Sequence, residues 1–155
     1  MESSLDSPGG PGDEILLVED NPNDAELAIH AFRKYHLTER IRLLGDGEEA
    51  LDYIFGRGAH AGRQVGVAPK LILLDIKLPK VDGLEVLRQL KSDDRTKHIP
   101  VVMLTSSQEQ RDVAEGYTHG ANSYIVKPVD FGQLSEAIRA LGLYWLTLNY
   151  PPDAG

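Results

Sequence analysis

Four short apolar runs in this chain each stop at a polar residue of a different kind. Ile15-Leu16-Leu17-Val18 leads into Glu19-Asp20, Leu71-Ile72-Leu73-Leu74 into Asp75, Val101-Val102-Met103-Leu104 into Thr105, and Tyr124-Ile125-Val126 into Lys127-Pro128. Unbroken Val/Ile/Leu runs, as opposed to alternating ones, are the pattern of strands buried on both faces of a parallel sheet. In such a sheet the carboxyl ends of the strands share one edge, and ligands bind there. The pattern therefore predicts that three carboxylates, a hydroxyl and an ammonium group meet at one rim.

Size and composition narrow the classes. A chain of 155 residues is most economically one domain, large enough to bury a core without a disulfide or structural metal. The absence of cysteine excludes disulfide frameworks and thiolate zinc sites and suits a reducing compartment. No basic stretch leads into an apolar leader, and no apolar run approaches the roughly 20 residues of a membrane span. The expectation is a cytoplasmic protein without a membrane partner. A formal charge of −8, with only 16 Lys and Arg and those scattered, argues against a nucleic-acid partner. Acidity concentrated at the strand ends would instead attract a divalent cation.

Residues 1–12, MESSLDSPGGPG, hold too little apolar surface to order themselves and are expected to form a disordered tail, with a folded domain over 13–148 and a short C-terminal tail at 149–155. Asn21-Pro22-Asn23-Asp24 starts a first helix, about 22–35, with Ala25, Ala28, Ile29 and Phe32 on one face. A short second strand at about 40–44 precedes Asp46 and Glu49, a capping arrangement for a second helix carrying Ala50, Leu51 and Ile54. Residues 56–68 form one long Gly-rich loop. A third helix opens near Asp82-Gly83. The fourth, with candidate capping boxes Ser106/Glu109 and Ser107/Gln110, has only a thin stripe of Val113, Ala114 and Tyr117. The fifth begins near Asp130 and buries Leu134, Ile138 and Leu141. Five strands alternating with five helices define an α/β fold, a doubly wound five-stranded parallel sheet with helices on both faces and right-handed crossovers. A flavodoxin-like strand order of 2-1-3-4-5 would set strands 1 and 3, which end in Asp20 and Asp75, at the topological switch point.

The chemistry follows from the residue types. Like charges about 4 Å apart repel by about 4 kcal/mol at an effective dielectric near 20, so clustered carboxylates call for a cation. Mg²⁺ (or Mn²⁺) prefers oxygen ligands and takes one or two carboxylates plus a substrate phosphate. Asp20 and Asp75 suit direct ligation, with Glu19 alongside, directly or through water. Phosphoryl transfer requires positive charge or a donor against each of three equatorial oxygens. Mg²⁺, the Lys127 ammonium and the Thr105 hydroxyl supply three such partners. Asp75 is left as the in-line nucleophile, forming an acyl phosphate.

Taken singly, each residue has an ordinary structural role: Asp20 as a helix cap, Asp75 as a turn residue before Pro79, Thr105 as a cap, Lys127 as a solvated cation. Those roles do not explain why four strand ends together supply the parts of one phosphoryl site. Pro128 adds a constraint, because it biases Lys127 to extended backbone and permits a cis peptide bond.

With Glu19-Asp20 after the first strand, Asp75 followed by Pro79 and Asp82-Gly83, Thr105, and Lys127-Pro128, the chain resembles the receiver domain of two-component response regulators over about residues 14–141. The resemblance implies a phosphoryl group passed from a phosphohistidine of a sensor histidine kinase to Asp75, with Mg²⁺ held by Asp20, Asp75 and the backbone carbonyl of Lys77. It also implies that Thr105 closes on the phosphoryl group while Tyr124 changes rotamer. Such a protein is a phosphoacceptor switch and not a turnover enzyme. Lys77 and Ser107 occupy places that vary in the family, two residues beyond Asp75 and Thr105.

The Gly-rich insert and long C-terminus are similar to those of single-domain regulators that partner bacterial phytochromes, chiefly in Phe55-Gly56-Arg57-Gly58, Ser92-Asp93-Asp94-Arg95 and Leu141-Gly142-Leu143-Tyr144-Trp145-Leu146. Residues 141–150, LGLYWLTLNY, are apolar on more than one helix face, which points to a homodimer formed through this segment with the fourth and fifth helices. Three other functions fit less well. A phosphatase with an aspartate nucleophile would carry it on the first strand, with a second Asp two residues on. A flavodoxin-type binder would need phosphate-cradling loops without an acidic edge. A non-phosphorylated scaffold on the same fold is opposed by the intact site residues.

Overall fold

The computed structural model describes residues 14–34, 40–62, 69–106, 115 and 117–143. Five parallel strands, β1 (Ile15–Val18), β2 (Ile41–Leu44), β3 (Leu71–Asp75), β4 (Val101–Thr105) and β5 (Ser123–Val126), form one sheet in the order β2-β1-β3-β4-β5. This is the expected flavodoxin-like arrangement, with its reversal of direction between β1 and β3. The central strands β1, β3 and β4 are buried at every position, whereas the edge strands β2 and β5 are not.

The unbroken apolar runs arise because alternate side chains enter two separate cores. Ile15, Leu17, Leu71, Leu73, Val102 and Leu104 face α1 (Pro22–Arg33) and α4 (Phe131–Ala140), where Phe32, Leu134 and Ile138 cover them. Leu16, Val18, Ile72, Leu74, Val101 and Met103 face the other way, under Leu51 and Ile54 of α2 (Gly47–Phe55) and Val86, Leu87 and Leu90 of α3 (Gly83–Ser92). Here α4 is the fifth helix of the sequence reading.

Each of the helices α1 to α4 starts at the carboxyl rim of the sheet with a side-chain cap. Asn21, Asp46, Asp82 and Asp130 accept from the backbone N–H three residues on, at 3.0, 2.7, 3.0 and 2.8 Å. Each cap satisfies an otherwise unpaired amide, a contribution of about 1 kcal/mol. Four caps at one rim fix the loops from which the site is built.

The expected fourth helix falls mostly on 107–114, and Ser107, Glu109 and Gln110 of its capping boxes, most of the 141–150 segment, and the tails at 1–12 and 149–155 lie outside the described residues. The Gly-rich loop at 56–68 is anchored over its described part. Gly56 ends α2 in the left-handed region at φ 66°, after which Gly58–His60 form a turn of 3₁₀ helix. His60 packs edge-on to Tyr53 with ring centroids 5.0 Å apart, and the Arg57 and Arg95 guanidiniums stand 5.2 and 5.3 Å from the Phe55 ring.

Candidate functional site

Register alone carries the polar strand ends into one row. Val18 lies beside Leu74, Asp75 beside Leu104, and Thr105 beside Val126. The ladder then runs one step past the strands: Glu19 N–H donates to Leu44 O at 3.0 Å, Ile76 N–H to Leu104 O at 3.0 Å, and Lys127 N–H to Thr105 O at 2.8 Å. Glu19, Asp75 and Thr105 are all buried, at 3, 2 and 3% exposure. Two carboxylates at such depth are unusual unless paired.

Lys127 supplies the pairing. Its Nζ lies 2.9 Å from Glu19 Oε1, 2.9 Å from Asp24 Oδ2 and 3.2 Å from Asp75 Oδ2. The Lys127–Pro128 peptide bond is cis, and the lysine side chain is only 8% exposed. Asp75 Oδ1 also accepts from Lys77 N–H at 3.4 Å. Burial pushes the Glu19 carboxyl up to about 7, against the pull of the Lys127 hydrogen bond and the Asn21 N–H. Burial also raises Asp75, while Lys127 draws it back. Burial works against the charge of Lys127 as well, but hydrogen bonds to Asp24 and Glu19 and the charge of Asp75 outweigh it and hold the ammonium above the ordinary lysine value.

One carboxylate oxygen from each of Glu19, Asp20 and Asp75 lies within 4.8 Å of the others, so the three could face a single small cation. Opposite ligands of an octahedral Mg²⁺ stand about 4.2 Å apart at Mg–O distances of about 2.1 Å, a little inside that 4.8 Å limit. Glu19 Oε1 is buried and meets the Lys127 ammonium without hydrogen-bond geometry, which leaves a lone pair for a metal or a metal-bound water. Asp20 is exposed and approaches from the solvent side.

The structure thus brings together Glu19, Asp20, Asp75, Thr105 and Lys127. The capping role weighed for Asp20 belongs to its neighbour, since Asn21 Oδ1 takes the Asp24 N–H. The solvated-cation role weighed for Lys127 fails as well, given its three carboxylate partners. At Lys77 the observed contact is through the N–H, to Asp75. Tyr124 lies on the edge strand, 40% exposed, edge-on to Tyr117 at 6.0 Å between centroids. Sequence reasoning missed Asp24, which reads as a first-turn acid of α1. The available signal was its position in the turn that follows β1, which faces the same rim.

A family model for the response regulator receiver domain matches residues 15–139. The probable methanogenesis regulatory protein FilR2 of Methanothrix harundinacea is 44% identical over 138 residues, covering 89% of this chain and 86% of FilR2. The response regulator Rcp1 of Synechocystis is 34% identical over 142 residues, 91% of this chain and 95% of Rcp1. The solved structure of its Mn²⁺-bound form aligns with a TM-score of 0.71 over 86% of this chain and 94% of that one. The solved bacteriophytochrome response regulator RtBRR aligns with a TM-score of 0.79 at 49% identity, over 90% of this chain and 84% of that one. The chain belongs to the response regulator receiver family, a class of phosphoacceptor signalling modules. Among the described residues no helix is long and apolar enough to cross a membrane.

Proposed function

We propose that Asp75 accepts a phosphoryl group from a phosphohistidine of a sensor histidine kinase of the bacterial phytochrome class, in a reaction that needs a divalent cation. The observation that carries the reading is the convergence of a buried carboxylate and an ammonium group 3.2 Å apart, one strand from the Thr105 hydroxyl. In the transfer an Asp75 carboxylate oxygen forms a bond to phosphorus as the phosphorus–nitrogen bond to the kinase imidazole breaks, and the electron pair stays on that nitrogen. No separate base is required, because the nucleophile is already a carboxylate. Lys127 holds one phosphoryl oxygen by charge-assisted hydrogen bonding, and Thr105 donates its hydroxyl to another.

Glu19, Asp20 and Asp75 would hold Mg²⁺ or Mn²⁺, with the Lys77 carbonyl completing the set by family resemblance. When bound, the cation neutralises the acidic rim and acts as a Lewis acid on a phosphoryl oxygen. Rcp1, solved with Mn²⁺, and RtBRR, a bacteriophytochrome response regulator, support the metal and the kinase class. Phosphorylation adds a dianionic centre able to make one to three new charge-assisted hydrogen bonds, a bias sufficient to shift a two-state equilibrium by tenfold for each ~1.4 kcal/mol. Output is by protein contact, including a homodimer formed through the segment between β4 and β5, α4 and residues 141–150. The exposed Tyr117, Tyr124 and Phe131 support that surface.

The experiment is incubation with Mg²⁺ and acetyl phosphate, followed by intact mass and solution mass. One phosphoryl group is expected on the native chain and none on Asp75→Asn. Label on Asp75→Asn, or no label on the native chain with either acetyl phosphate or phosphorylated kinase, overturns the assignment.

A further inference from the structure

β5 is an edge strand, so Val126 turns its N–H and C=O away from β4 toward the open side of the sheet. Unpaired backbone groups at a sheet edge are normally left to water or to another strand. Here a single side chain takes both. Gln133, in the first turn of α4, accepts from Val126 N–H through Oε1 at 3.2 Å and donates from Nε2 to Val126 O at 3.0 Å. The same Nε2 donates to Pro128 O at 3.1 Å. One amide thus grips the backbone on both sides of Lys127, like a one-residue strand laid against the edge.

The opposite side of the segment is fixed within the site itself, because Lys127 N–H donates to Thr105 O at 2.8 Å. Lys127 is held between the Thr105 carbonyl on one side and the Gln133 amide on the other. Gln133 is in turn anchored by its own N–H to Asp130 Oδ1 at 2.8 Å, and its Nε2 stands 3.5 Å from Asp130 Oδ2.

We infer that Gln133 is a positioning residue for phosphoryl transfer, setting the reach of the Lys127 ammonium to Asp75 by clamping Val126 and Pro128. The inference rests on the reading of Lys127 as a phosphoryl contact. Its chemistry is specific to an amide. A carboxylate of the same shape keeps the acceptor for Val126 N–H but presents oxygen to two carbonyls and to Asp130, so the clamp becomes repulsive. Displacements of about 1 Å at a catalytic group can cost about a hundredfold in rate.

The test uses the full chain with saturating Mg²⁺ and acetyl phosphate, following the rate at which Asp75 is modified. Gln133→Glu is expected to slow modification by about ten- to a hundredfold, while Mg²⁺ affinity measured by calorimetry stays within about twofold of native. In a Lys127→Ala background the same substitution is expected to add no further slowing, because the group it positions is gone. Gln133→Met, which keeps the volume and removes both donors and acceptor, carries the same test if the glutamate variant does not fold. A near-native rate for the variant that folds, or an undiminished effect in the Lys127→Ala background, overturns the inference. If Lys127→Ala by itself leaves the rate unchanged, the assignment of Lys127 fails, and this inference falls with it.

Discussion

Gly83 lies directly against the backbone of Asp75: a Cβ placed on it would stand 2.0 Å from the Asp75 carbonyl oxygen and 2.9 Å from its carbonyl carbon. Gly83 N–H also donates to Ile76 O at 2.8 Å, so the start of α3 is docked onto the end of β3 that carries Asp75. Only a residue without a side chain permits that approach.

Gly83→Ala is accordingly expected to displace either the first turn of α3 or the end of β3, at a cost of about 1–3 kcal/mol, as for other overpacked positions. Gly45 is the control, since a Cβ there meets nothing within 4 Å. Urea unfolding should show a lowered midpoint for Gly83→Ala and a change within about 0.5 kcal/mol for Gly45→Ala. Equal stability for the two variants would contradict the close packing.

Asp20 separates metal binding from folding, because it shares the carboxylate cluster yet is exposed. Asp20→Asn is expected to change stability by no more than about 0.5 kcal/mol. Its Mg²⁺ affinity should fall by at least about tenfold, the smallest effect usual for groups one shell further from a metal. Calorimetric titration with Mg²⁺ alongside urea unfolding in EDTA reads both quantities. Native Mg²⁺ affinity in the variant would remove Asp20 from the ligand set.

Lys127 faces Glu19, Asp24 and Asp75 together, and two of these carboxylates are buried. Lys127→Ala leaves them without that charge, which in the absence of metal should cost about 3 kcal/mol, since Glu19 can take up a proton and soften the usual loss for a broken buried pair. A divalent cation replaces part of the missing positive charge. Mg²⁺ should therefore raise the urea midpoint of Lys127→Ala by more than it raises that of the native chain. A metal-free variant as stable as native protein would show that the three contacts contribute nothing to folding.

The strands, the helix starts and the row of strand ends are legible because each rests on a local pattern, whereas the strand order follows from the flavodoxin-like arrangement. Unbroken apolar runs mark strands buried on two sides, and Asn21, Asp46, Asp82 and Asp130 mark helix starts. What the local patterns do not carry is the direction in which a polar side chain reaches. Asp24 and Gln133 each look like ordinary first-turn residues, and nothing near them in the chain tells that one reaches Lys127 and the other spans the free edge of β5. The loop after α2 reads only as a Gly-rich stretch because glycine offers no apolar hold. Its anchors are rings of the helix before it, Phe55 under Arg57 and Tyr53 against His60.

Lys91 carries the pH dependence whose sign is clearest outside the site. It lies in the last turn of α3, half-buried, with Nζ donating to Lys97 O at 2.9 Å and Ile99 O at 2.6 Å. Burial lowers its value below the ordinary 10.5, so on folding the ammonium form is disfavoured relative to the unfolded chain. In the alkaline range below 10.5 the unfolded state binds more protons than the native one, and stability from this group rises with pH through that window. Below that window the unfavourable contribution of the buried ammonium is present in full. Lys91→Met abolishes the proton difference while keeping most of the aliphatic stem. The stability of native protein relative to Lys91→Met, read from urea midpoints, should therefore grow as pH is raised from neutral toward 10.5. A difference that shrinks over that range would mean that the two carbonyls favour the charge by more than burial opposes it.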